Sequence, residues 1–358
     1  MSNIATSNGV FDASSITQVK KYIANKVLNL DYEVDHSRLS ECAAEIAVTV
    51  FPKWNKNDLE FTQFTNVIKC RNKVENVILL IRAYGMMTEV FLNREQEIQN
   101  MVSLSHLGFS APIYAKFKNG LAYGYVPGRP LTLEDCKKPQ IYSLIAKKLA
   151  ELHRLNLPGS REPMVFPTIH DWIRKVPPRY TNQKFQAQFE KDINLPQLIK
   201  DINHLEKKIL ELNAPVMFCH NDLLNLNIIY NEDENKVSFI DYEYACYGYR
   251  GLDIGLHFLN FAGFEANWHL CPTKDYQIKW LRQYLLAYNS GTTEVTDYDV
   301  ELLYREVKKF ELVGLIHVGL WALLQSDLSD LDFNFMGYAV EIFKEFYRLR
   351  DHEKILKL

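Results

Sequence analysis

Short apolar runs alternate with polar turns between residues 58 and 127, and this pattern predicts strands. DLEFTQFTNVIKCRN and NVILLIRAYG indicate strands on either side of the polar turn RNKVEN, and APIYAKFKNGLAYGYVPG indicates a hairpin that reverses at KNG. Between these strand pairs, NREQEIQNMVSLSHLG predicts a helix that ends at Gly108, because glycine readily adopts the positive φ that closes many helices. We therefore predict a small lobe of strands and one helix, with a hinge near Pro127 and Gly128.

Helical spacing of apolar residues is found on both sides of this lobe. Ahead of the lobe, SITQVKKYIANKVLNL and SRLSECAAEIAVTVF each begin with a serine that could cap the helix. After the lobe, IYSLIAKKLAELHRL places Ile141, Ile145 and Leu149 on one helical face. Further helical patterns follow in YQIKWLRQYLLAYN, DYDVELLYREVKKFELVGLIHVGLWALLQS and FMGYAVEIFKEFYRL.

These patterns predict an α+β fold with three segments. Residues 1–14 are polar and are expected to be disordered. Residues 15–127 form the strand-rich N-lobe, and residues 128–358 form a larger helical C-lobe.

Composition narrows the class of protein. The chain has 358 residues, of which 47% are apolar and 24% charged, as is usual for a globular protein. Its formal net charge of −3 gives no basic excess for nucleic acid. The six cysteines form no C-x-x-C pair, the N-terminus lacks the apolar core of a secretory signal, and no run approaches the roughly 18 to 20 apolar residues that cross a bilayer. We expect a cytoplasmic protein without membrane or nucleic-acid partners.

The chemistry is concentrated between residues 217 and 244, in MFCHNDLLNLNIIYNEDENKVSFIDYEY. Asp222 and Asn227 share one loop, and Asp241 follows the next pair of short strands, so that a hairpin could bring it beside Asn227. A carboxylate and an amide oxygen are ligands of the kind Mg²⁺ prefers, and Asp222 could then accept a proton from an attacking hydroxyl. This is the layout of phosphoryl-transfer enzymes, in which four residues separate such an Asp from an Asn. His153 and His220 are expected to be structural.

The segment HNDLLNLNIIY…FIDYEYACYGYRGLDIGLHF resembles the choline/ethanolamine kinase family. LLIRAYGMMTEVFLNREQEI resembles the family's third strand and following helix, GLAYGYVPGRPL its hinge, and GLWALLQSDLSDLDFNFMGYAVEIF its C-terminal helices. The resemblance covers roughly residues 58–348 and is closer to the ethanolamine branch, judged from TEVFLNREQEI and GTTEVT. It implies a bilobal protein-kinase-like fold, in which the N-lobe covers the nucleotide and the C-lobe carries the catalytic hairpin and the amine pocket.

The resemblance also implies roles for individual residues. Asp222 would be the catalytic base, and Asn227 and Asp241 would hold Mg²⁺. ATP would be contacted by Arg82, Glu97, Thr65, Asn66, Tyr125, Val126 and Pro127, with Glu97 steadying Arg82. The amine would be bordered by Glu243, Tyr244, Asn260, Trp321, Phe333, Phe335 and Tyr338. Aromatic faces attract ammonium groups, which suits a small cationic alcohol.

The chain departs from the family pattern in one turn on the nucleotide side and at three positions on the amine side. The turn that covers the phosphates in the family contains glycine, whereas this chain has Thr65 and Asn66. On the amine side, Leu256 replaces an Asn, Asn260 replaces a Glu that helps to bind the ammonium group, and Val318 replaces a Trp.

Several hypotheses follow. The first is ATP-dependent phosphorylation of ethanolamine to phosphoethanolamine, a step of the CDP-ethanolamine route to phosphatidylethanolamine, with choline or another small amino alcohol as the alternative substrate. A second is a weakly active or inactive pseudokinase with a binding or regulatory role, and a third is a kinase of the aminoglycoside or hydroxylated-metabolite type. A protein kinase is disfavoured because H-R-D, D-F-G and A-P-E are lacking. A homodimer remains open.

Overall fold

The computed structural model describes residues 26–64, 66–85, 91–291, 293–329 and 331–352. The chain divides into two compact units. The first contains the described residues as far as Arg129, with Asn156–Gly159 and Ile229–Tyr244, and the second contains Pro130–Leu155, Ser160–Ile228 and the described residues from Ala245 onward. The predicted disordered stretch 1–14 and most of the helix predicted from Ser15 lie outside the described residues. The end of that predicted helix is wrong, because Leu28–Asn29 forms a strand.

A six-stranded sheet forms the centre of the first unit. Its strands are β1 (Leu28–Asn29), β2 (Leu59–Phe64), β3 (Val67–Asn72), β4 (Ile78–Ala83), β5 (Ile113–Phe117) and β6 (Gly120–Gly124), in the order β1-β5-β6-β4-β3-β2. All neighbours are antiparallel except β1 and β5. The strands predicted in this region are therefore confirmed.

Alternation along β4 determines which side chains reach the core of the first unit. Leu79 and Ile81 are buried in a cluster that also includes Ile46 on helix α1 (Leu39–Val50). Because successive side chains of a strand point to opposite faces, Arg82 lies on the other face of the sheet. The pattern of β4 thus directs one cation away from the core.

The serine cap predicted for α1 is wrong. Asp35 instead caps a short 3-10 turn, His36–Arg38, that precedes α1, and its Oδ1 accepts both the main-chain N–H and the hydroxyl of Ser37, at 2.8 and 2.7 Å. The serine hydroxyl is therefore a donor to a carboxylate, which is the stronger acceptor, and α1 begins without a side-chain cap.

The other predicted helix of this unit is confirmed. Helix α2 (Arg94–His106) begins behind Asn93, whose Oδ1 accepts the main-chain N–H of Gln96 at 3.1 Å. The chain leaves the helix through Gly108, which has φ of 74° as the sequence predicted. The first turn of α2 therefore carries Arg94 and Glu97 at fixed positions.

The second unit is mainly helical, as predicted. Its helices are α3 (Leu133–Lys137), α4 (Pro139–His153), α5 (Val165–Lys175), α6 (Gln183–Asp192), α7 (Leu195–Leu210), α8 (Arg250–Leu259), α9 (Lys274–Tyr288), α10 (Asp297–Leu328) and α11 (Phe335–His352). Among the described residues, no helix is long and apolar enough to span a bilayer.

Close packing against α10 fixes the position of α8. A Cβ added to Gly251 would lie 2.4 Å from Phe310 Cδ2, and one added to Gly255 would lie 3.3 Å from Glu311 Cγ. A side chain at Gly251 would force Phe310 to move, and one at Gly255 would crowd α10 by a few tenths of an ångström. Helix α8 carries Asp253 and His257, so its packing determines where these two side chains lie.

The three short apolar runs of residues 216–239 form strands, as predicted, and Cys246–Tyr249 forms a further strand that was not predicted. In the second unit, β8 (Val216–Cys219) pairs antiparallel with β11 (Cys246–Tyr249). A three-stranded sheet contains β7 (Arg129–Pro130), β9 (Ile228–Asn231) and β10 (Lys236–Phe239) in the order β10-β9-β7.

Candidate functional site

The loop that carries the predicted catalytic residue leaves β8 at Cys219. Asn221 has a left-handed backbone, with φ of 63°, and a 3-10 turn over Asn225–Asn227 ends the loop. Asp222 lies between these two features. The loop is short, and three of its main-chain groups are hydrogen-bonded by side chains of α8.

Asp253 of α8 holds the start of this loop. Its Oδ2 accepts the main-chain N–H of His220 at 2.7 Å, and its Oδ1 accepts that of Asn221 at 2.8 Å. Asp253 is completely buried, so these bonds are not exchanged for bonds to water. The carboxylate therefore fixes the two residues immediately before Asp222.

A third partner of Asp253 is His153 of α4. His153 Nε2 lies 3.0 Å from Asp253 Oδ2, and His153 Nδ1 lies 2.8 Å from the Tyr284 hydroxyl. Burial alone would raise the pKa of Asp253, but the hydrogen bond and the charge of His153, together with His220, hold it below the ordinary value. Asp253 is therefore a buried carboxylate stabilised in its ionised form.

The middle of the loop is held by two further side chains. His257 Nδ1 lies 2.8 Å from the main-chain oxygen of Leu223, and Asn225 Nδ2 donates to that of Leu131 at 2.7 Å. Burial lowers the pKa of His257 to about 4, so the imidazole is neutral near pH 7 and Nδ1 carries the donated proton. His257 thus acts as a neutral hydrogen-bond donor.

Asn227 is directly bonded to the predicted base. Its Nδ2 donates to the main-chain oxygen of Asp222 at 2.9 Å and to the carboxylate Oδ2 at 3.1 Å. The amide nitrogen is therefore used within the loop, and the carbonyl Oδ1 is the atom that could bind a metal ion. A hard oxygen donor at this position fits Mg²⁺.

Four of the aromatic residues predicted at the amine site form one group in the second unit. Phe333 lies 4.8 Å from Phe335 and 5.8 Å from Tyr338, measured between ring centroids, and Trp321 lies 5.6 Å from Phe335. Phe264, which was not predicted, joins them with its ring 5.7 Å from Phe333. We call these five residues the aromatic cluster.

The aromatic cluster is electrostatically coupled to the loop that carries Asp222. Burial, together with the negative charges of Asp222 and Glu265, raises the pKa of Tyr338 to about 12. Both carboxylates therefore lie within electrostatic reach of the Tyr338 hydroxyl. A base and an aromatic surface are the two elements needed to bind and activate a cationic alcohol.

Three departures from the family pattern also lie in the second unit. Leu256 is buried on α8, with its Cδ2 3.1 Å from the position of a Cβ at Gly314. Asn260 is half-buried in a 3-10 turn, Asn260–Ala262, whose end is closed by Gly263. Val318 is half-buried on α10, three positions before Trp321.

In the first unit, Arg82 is surrounded by carboxylates. Its Nη1 lies 3.0 Å from Asp241 Oδ1 and 3.6 Å from Glu97 Oε1, and its Nη2 pairs with Glu243 Oε2. Burial would lower the pKa of Arg82, but Asp241, Glu243 and Glu97 raise it above its ordinary value. Asp241 has a left-handed backbone, with φ of 63°.

Arg94 is a second cation in this group, and it was not predicted as a site residue. Its Nη1 lies 2.8 Å from Glu97 Oε2 and 3.2 Å from Glu243 Oε2, and its guanidinium carbon lies 4.1 Å from the centre of the Tyr84 ring. The i, i+3 spacing of Arg94 and Glu97 at the start of α2 was a usable signal. The pairing with Glu243 depends on the tertiary fold.

The residues expected to contact ATP all fall in the first unit. The main-chain oxygen of Asn66 accepts the N–H of Ala83 at 2.9 Å, and Tyr125 lies beneath Lys69, whose Nζ is 4.7 Å from the ring centre. Val126 is half-buried and Pro127 is exposed. Thr65, predicted beside Asn66, lies outside the described residues.

The predicted site residues are thus divided between the units. Arg82, Glu97, Asp241, Glu243 and Tyr244 belong to the first unit, whereas Asp222, Asn227, Asn260 and the aromatic cluster belong to the second. Glu243, expected at the border of the amine site, has its carboxylate between Arg82 and Arg94.

Comparison with known proteins places the chain in a family. The family model for choline/ethanolamine kinase matches residues 61–347. A probable ethanolamine kinase A of Dictyostelium discoideum is 34% identical over 333 residues, which cover 89% of this chain and 95% of that protein. Human ethanolamine kinase 1 is 34% identical, with 90% of this chain and 75% of that protein covered.

A solved structure agrees with these matches. An ethanolamine kinase of Plasmodium vivax superimposes with a TM-score of 0.78 and 28% identity, covering 96% of each chain. The predicted α+β fold of the protein-kinase-like class is confirmed. The motif resemblance is confirmed as well, and the chain belongs to the choline/ethanolamine kinase family.

Proposed function

We propose that this chain transfers the γ-phosphoryl group of ATP to the hydroxyl of ethanolamine, which yields phosphoethanolamine and ADP. The relatives named above are ethanolamine kinases, and the two sequence relatives align over about nine tenths of this chain. Choline is the alternative acceptor, since the family includes both activities. We further propose that the enzyme is cytoplasmic and that its partners are small molecules.

The observation that carries the proposal is the environment of Asp222. Its carboxylate accepts a hydrogen bond from Asn227 and acts on Tyr338 of the aromatic cluster. A base beside an aromatic surface suits an alcohol that also carries a positive charge. The aromatic rings would bind the ammonium end, while Asp222 meets the hydroxyl end.

In this mechanism Asp222 accepts the hydroxyl proton as the alcohol oxygen attacks the γ-phosphorus. The bond between that phosphorus and the β,γ-bridging oxygen breaks, and ADP leaves with the electron pair. Asn227 orients the Asp222 carboxylate through Nδ2, and Asp253 holds the preceding main chain. These contacts fix the base before the substrate binds, which favours reaction through positioning.

Asn227 and Asp241 are proposed as the Mg²⁺ ligands, through an amide oxygen and a carboxylate oxygen. When bound, Mg²⁺ would neutralise charge on the phosphates of ATP. Arg82 is proposed to contact the same nucleotide. Glu97 pairs with Arg82, and Arg94 pairs with both Glu97 and Glu243. Its three acidic neighbours keep Arg82 protonated, as phosphate binding requires.

The test is product identification with purified full-length protein, Mg-ATP and a panel of amino alcohols. We expect phosphoethanolamine as the main product by mass spectrometry. Asp222→Asn should lower kcat by roughly 100-fold or more, because general-base catalysis contributes about 10² to 10⁴. Asp233→Asn, at an exposed position between β9 and β10, is the matched control and should leave kcat unchanged.

Two results would contradict the proposal. One is the absence of product from every amino alcohol, and the other is full activity in the Asp222→Asn variant. A thermal-shift titration distinguishes a nucleotide-binding protein from a bare scaffold, because a protein that binds Mg-ATP is stabilised by it and a scaffold shows no nucleotide-dependent shift. Screening other alcohols with ATP hydrolysis as the readout tests the third hypothesis. Light scattering of the same preparation would determine whether the chain is a dimer.

A further inference from the structure

A tight turn follows the 3-10 turn Asn260–Ala262. Ala266 donates its main-chain N–H to the oxygen of Gly263 at 3.2 Å, which closes a four-residue turn with Phe264 and Glu265 at its centre. Gly263 has φ of 63° and ψ of −175°, a conformation that is open to glycine and strained for other residues. The turn therefore presents two consecutive side chains, one aromatic and one acidic.

Phe264 directs this turn towards the aromatic cluster. Its ring lies 5.7 Å from that of Phe333 and 5.8 Å from that of Tyr338, yet 55% of Phe264 remains exposed. An aromatic ring that contacts two others and still meets solvent forms part of an accessible wall. Glu265 is the next residue in the chain and is exposed.

The carboxylate of Glu265 is turned back over the glycine. Its Oε2 lies 2.7 Å from the position that a Cβ on Gly263 would occupy. Its charge also reaches the Tyr338 hydroxyl, as does that of Asp222. Asp222 is assigned to the hydroxyl proton in the mechanism above, whereas Glu265 has no role there.

We propose that Glu265 is the acidic residue that receives the ammonium group of the substrate at the edge of the aromatic cluster. This inference rests on the proposed amino-alcohol kinase activity and names the residue that selects the cation. Asn260, on the same segment, is neutral and cannot provide the charge. Phe264 would cover one side of the ammonium group while Glu265 accepts its N–H donors.

The proposal gives a reason for a preference among amines. A primary ammonium has three N–H donors, and a charge-assisted hydrogen bond to a carboxylate is stronger than a neutral one. A quaternary ammonium has none and gains only from charge and from aromatic faces. Glu265 therefore favours ethanolamine over choline, although both carry the same charge.

The test compares Glu265→Gln with the wild-type enzyme for ethanolamine and for choline. We expect KM for ethanolamine to rise about tenfold, because hydrogen bonds to charged groups are worth roughly 1.5 to 3 kcal/mol and this one is partly screened by solvent. For choline, KM should rise less than about threefold, since no N–H donor is lost. If choline inhibits without turnover, its inhibition constant is measured instead.

Several controls keep the result specific. Values of kcat should remain within about twofold, since the contact forms in both the ground state and the transition state. The KM of Glu265→Asp for ethanolamine should lie between the values of Glu265→Gln and wild type, because aspartate retains the charge on a shorter side chain. Glu294→Gln, on an exposed loop of the same unit, should behave as wild type. Melting temperatures of all variants establish that the fold is intact.

Two outcomes would overturn the inference: an unchanged KM for ethanolamine in Glu265→Gln, or an equal loss for both amines. These outcomes differ from failure of the proposed function, which would be seen as absence of product from the wild-type enzyme. Direct titration of ethanolamine into protein with Mg-ADP gives a second readout that is independent of turnover.

Discussion

The carboxylate of Asp253 lies 3.0 Å from the imidazole Nε2 of His153, and both side chains are shielded from solvent. This pair lies behind the loop that carries Asp222, because the same carboxylate also accepts the main-chain N–H groups of His220 and Asn221. The conformation of the loop is thus determined by a buried charge on α8.

Replacement of that charge should affect stability and turnover together. In Asp253→Asn, one carboxylate oxygen becomes an amide donor that faces existing donors, so at least one buried hydrogen bond is lost. We expect the free energy of unfolding to fall by about 3 kcal/mol and kcat to fall with it. Urea denaturation and steady-state kinetics measure the two effects, and the Asp233→Asn control should show neither. Wild-type stability in Asp253→Asn would contradict this role.

The buried His257 predicts a loss of stability in acid. Its folded pKa is about 4, against an ordinary value of 6.5, so the unfolded chain binds more protons between these values. The free energy of unfolding should therefore fall as pH decreases from 6.5 towards 4, by up to about 1.4 kcal/mol per pH unit for this one group. Above pH 6.5 the contribution is constant.

His257→Asn provides the matched variant for this prediction. Its Nδ2 can replace the imidazole Nδ1 as donor to the Leu223 oxygen, and it does not titrate. Urea denaturation at several pH values should give a shallower dependence for the variant. Burial also lowers the pKa of His317 to about 4. His317 therefore adds the same pH dependence to the stability of the variant and of the wild type. Parallel curves for variant and wild type would refute the assignment to His257.

Arg82 should be needed for nucleotide binding in a way that lysine cannot replace. Its guanidinium contacts Asp241 and Glu243 through different nitrogens, whereas a lysine offers one ammonium group. We expect Arg82→Met to lower kcat/KM for ATP by about 100-fold and Arg82→Lys by about tenfold. The KM for ethanolamine should change little, and a selective effect on ethanolamine would contradict the assignment.

Two replacements at Asn227 separate metal binding from orientation of the base. Asn227→Ala removes the proposed oxygen ligand and both N–H donations to Asp222, whereas Asn227→Asp retains an oxygen but cannot donate. We expect kcat to fall by roughly 100-fold in both, because both lose the bond that orients the base. The Mg²⁺ concentration needed for half-maximal rate should rise only in Asn227→Ala. Equal Mg²⁺ requirements in the two variants would count against metal binding by Asn227.

Local features of the fold were predictable from sequence, because they depend on neighbouring residues. The spacing of apolar residues and the positions of turn residues predicted the strands around residues 59–83 and the short strands before and after Asn227. They also predicted the end of α2 at Gly108. The predicted serine cap of α1 was wrong because the hydroxyl of Ser37 donates to Asp35, and α1 itself begins without a side-chain cap.

Contacts between residues that are far apart in the sequence were harder to predict. Asp253 has the sequence features of an ordinary acid in the first turn of a helix, and only the packing of α8 brings it to the main chain of His220. Arg82 pairs with Asp241, Glu243 and Glu97. The order of these residues in the sequence does not indicate which carboxylate lies nearest to the guanidinium. Phe264 and Glu265 lie in a turn whose direction depends on the backbone of Gly263.

The left-handed backbone of Asp241 has a consequence for how this position can vary. A non-glycine residue at φ of 63° is disfavoured by roughly 1 kcal/mol, and glycine would remove that strain. Glycine would also remove the carboxylate that contacts Arg82. Selection for thermal robustness would therefore favour glycine at residue 241, whereas selection for the Arg82 contact and for the proposed Mg²⁺ contact would favour aspartate.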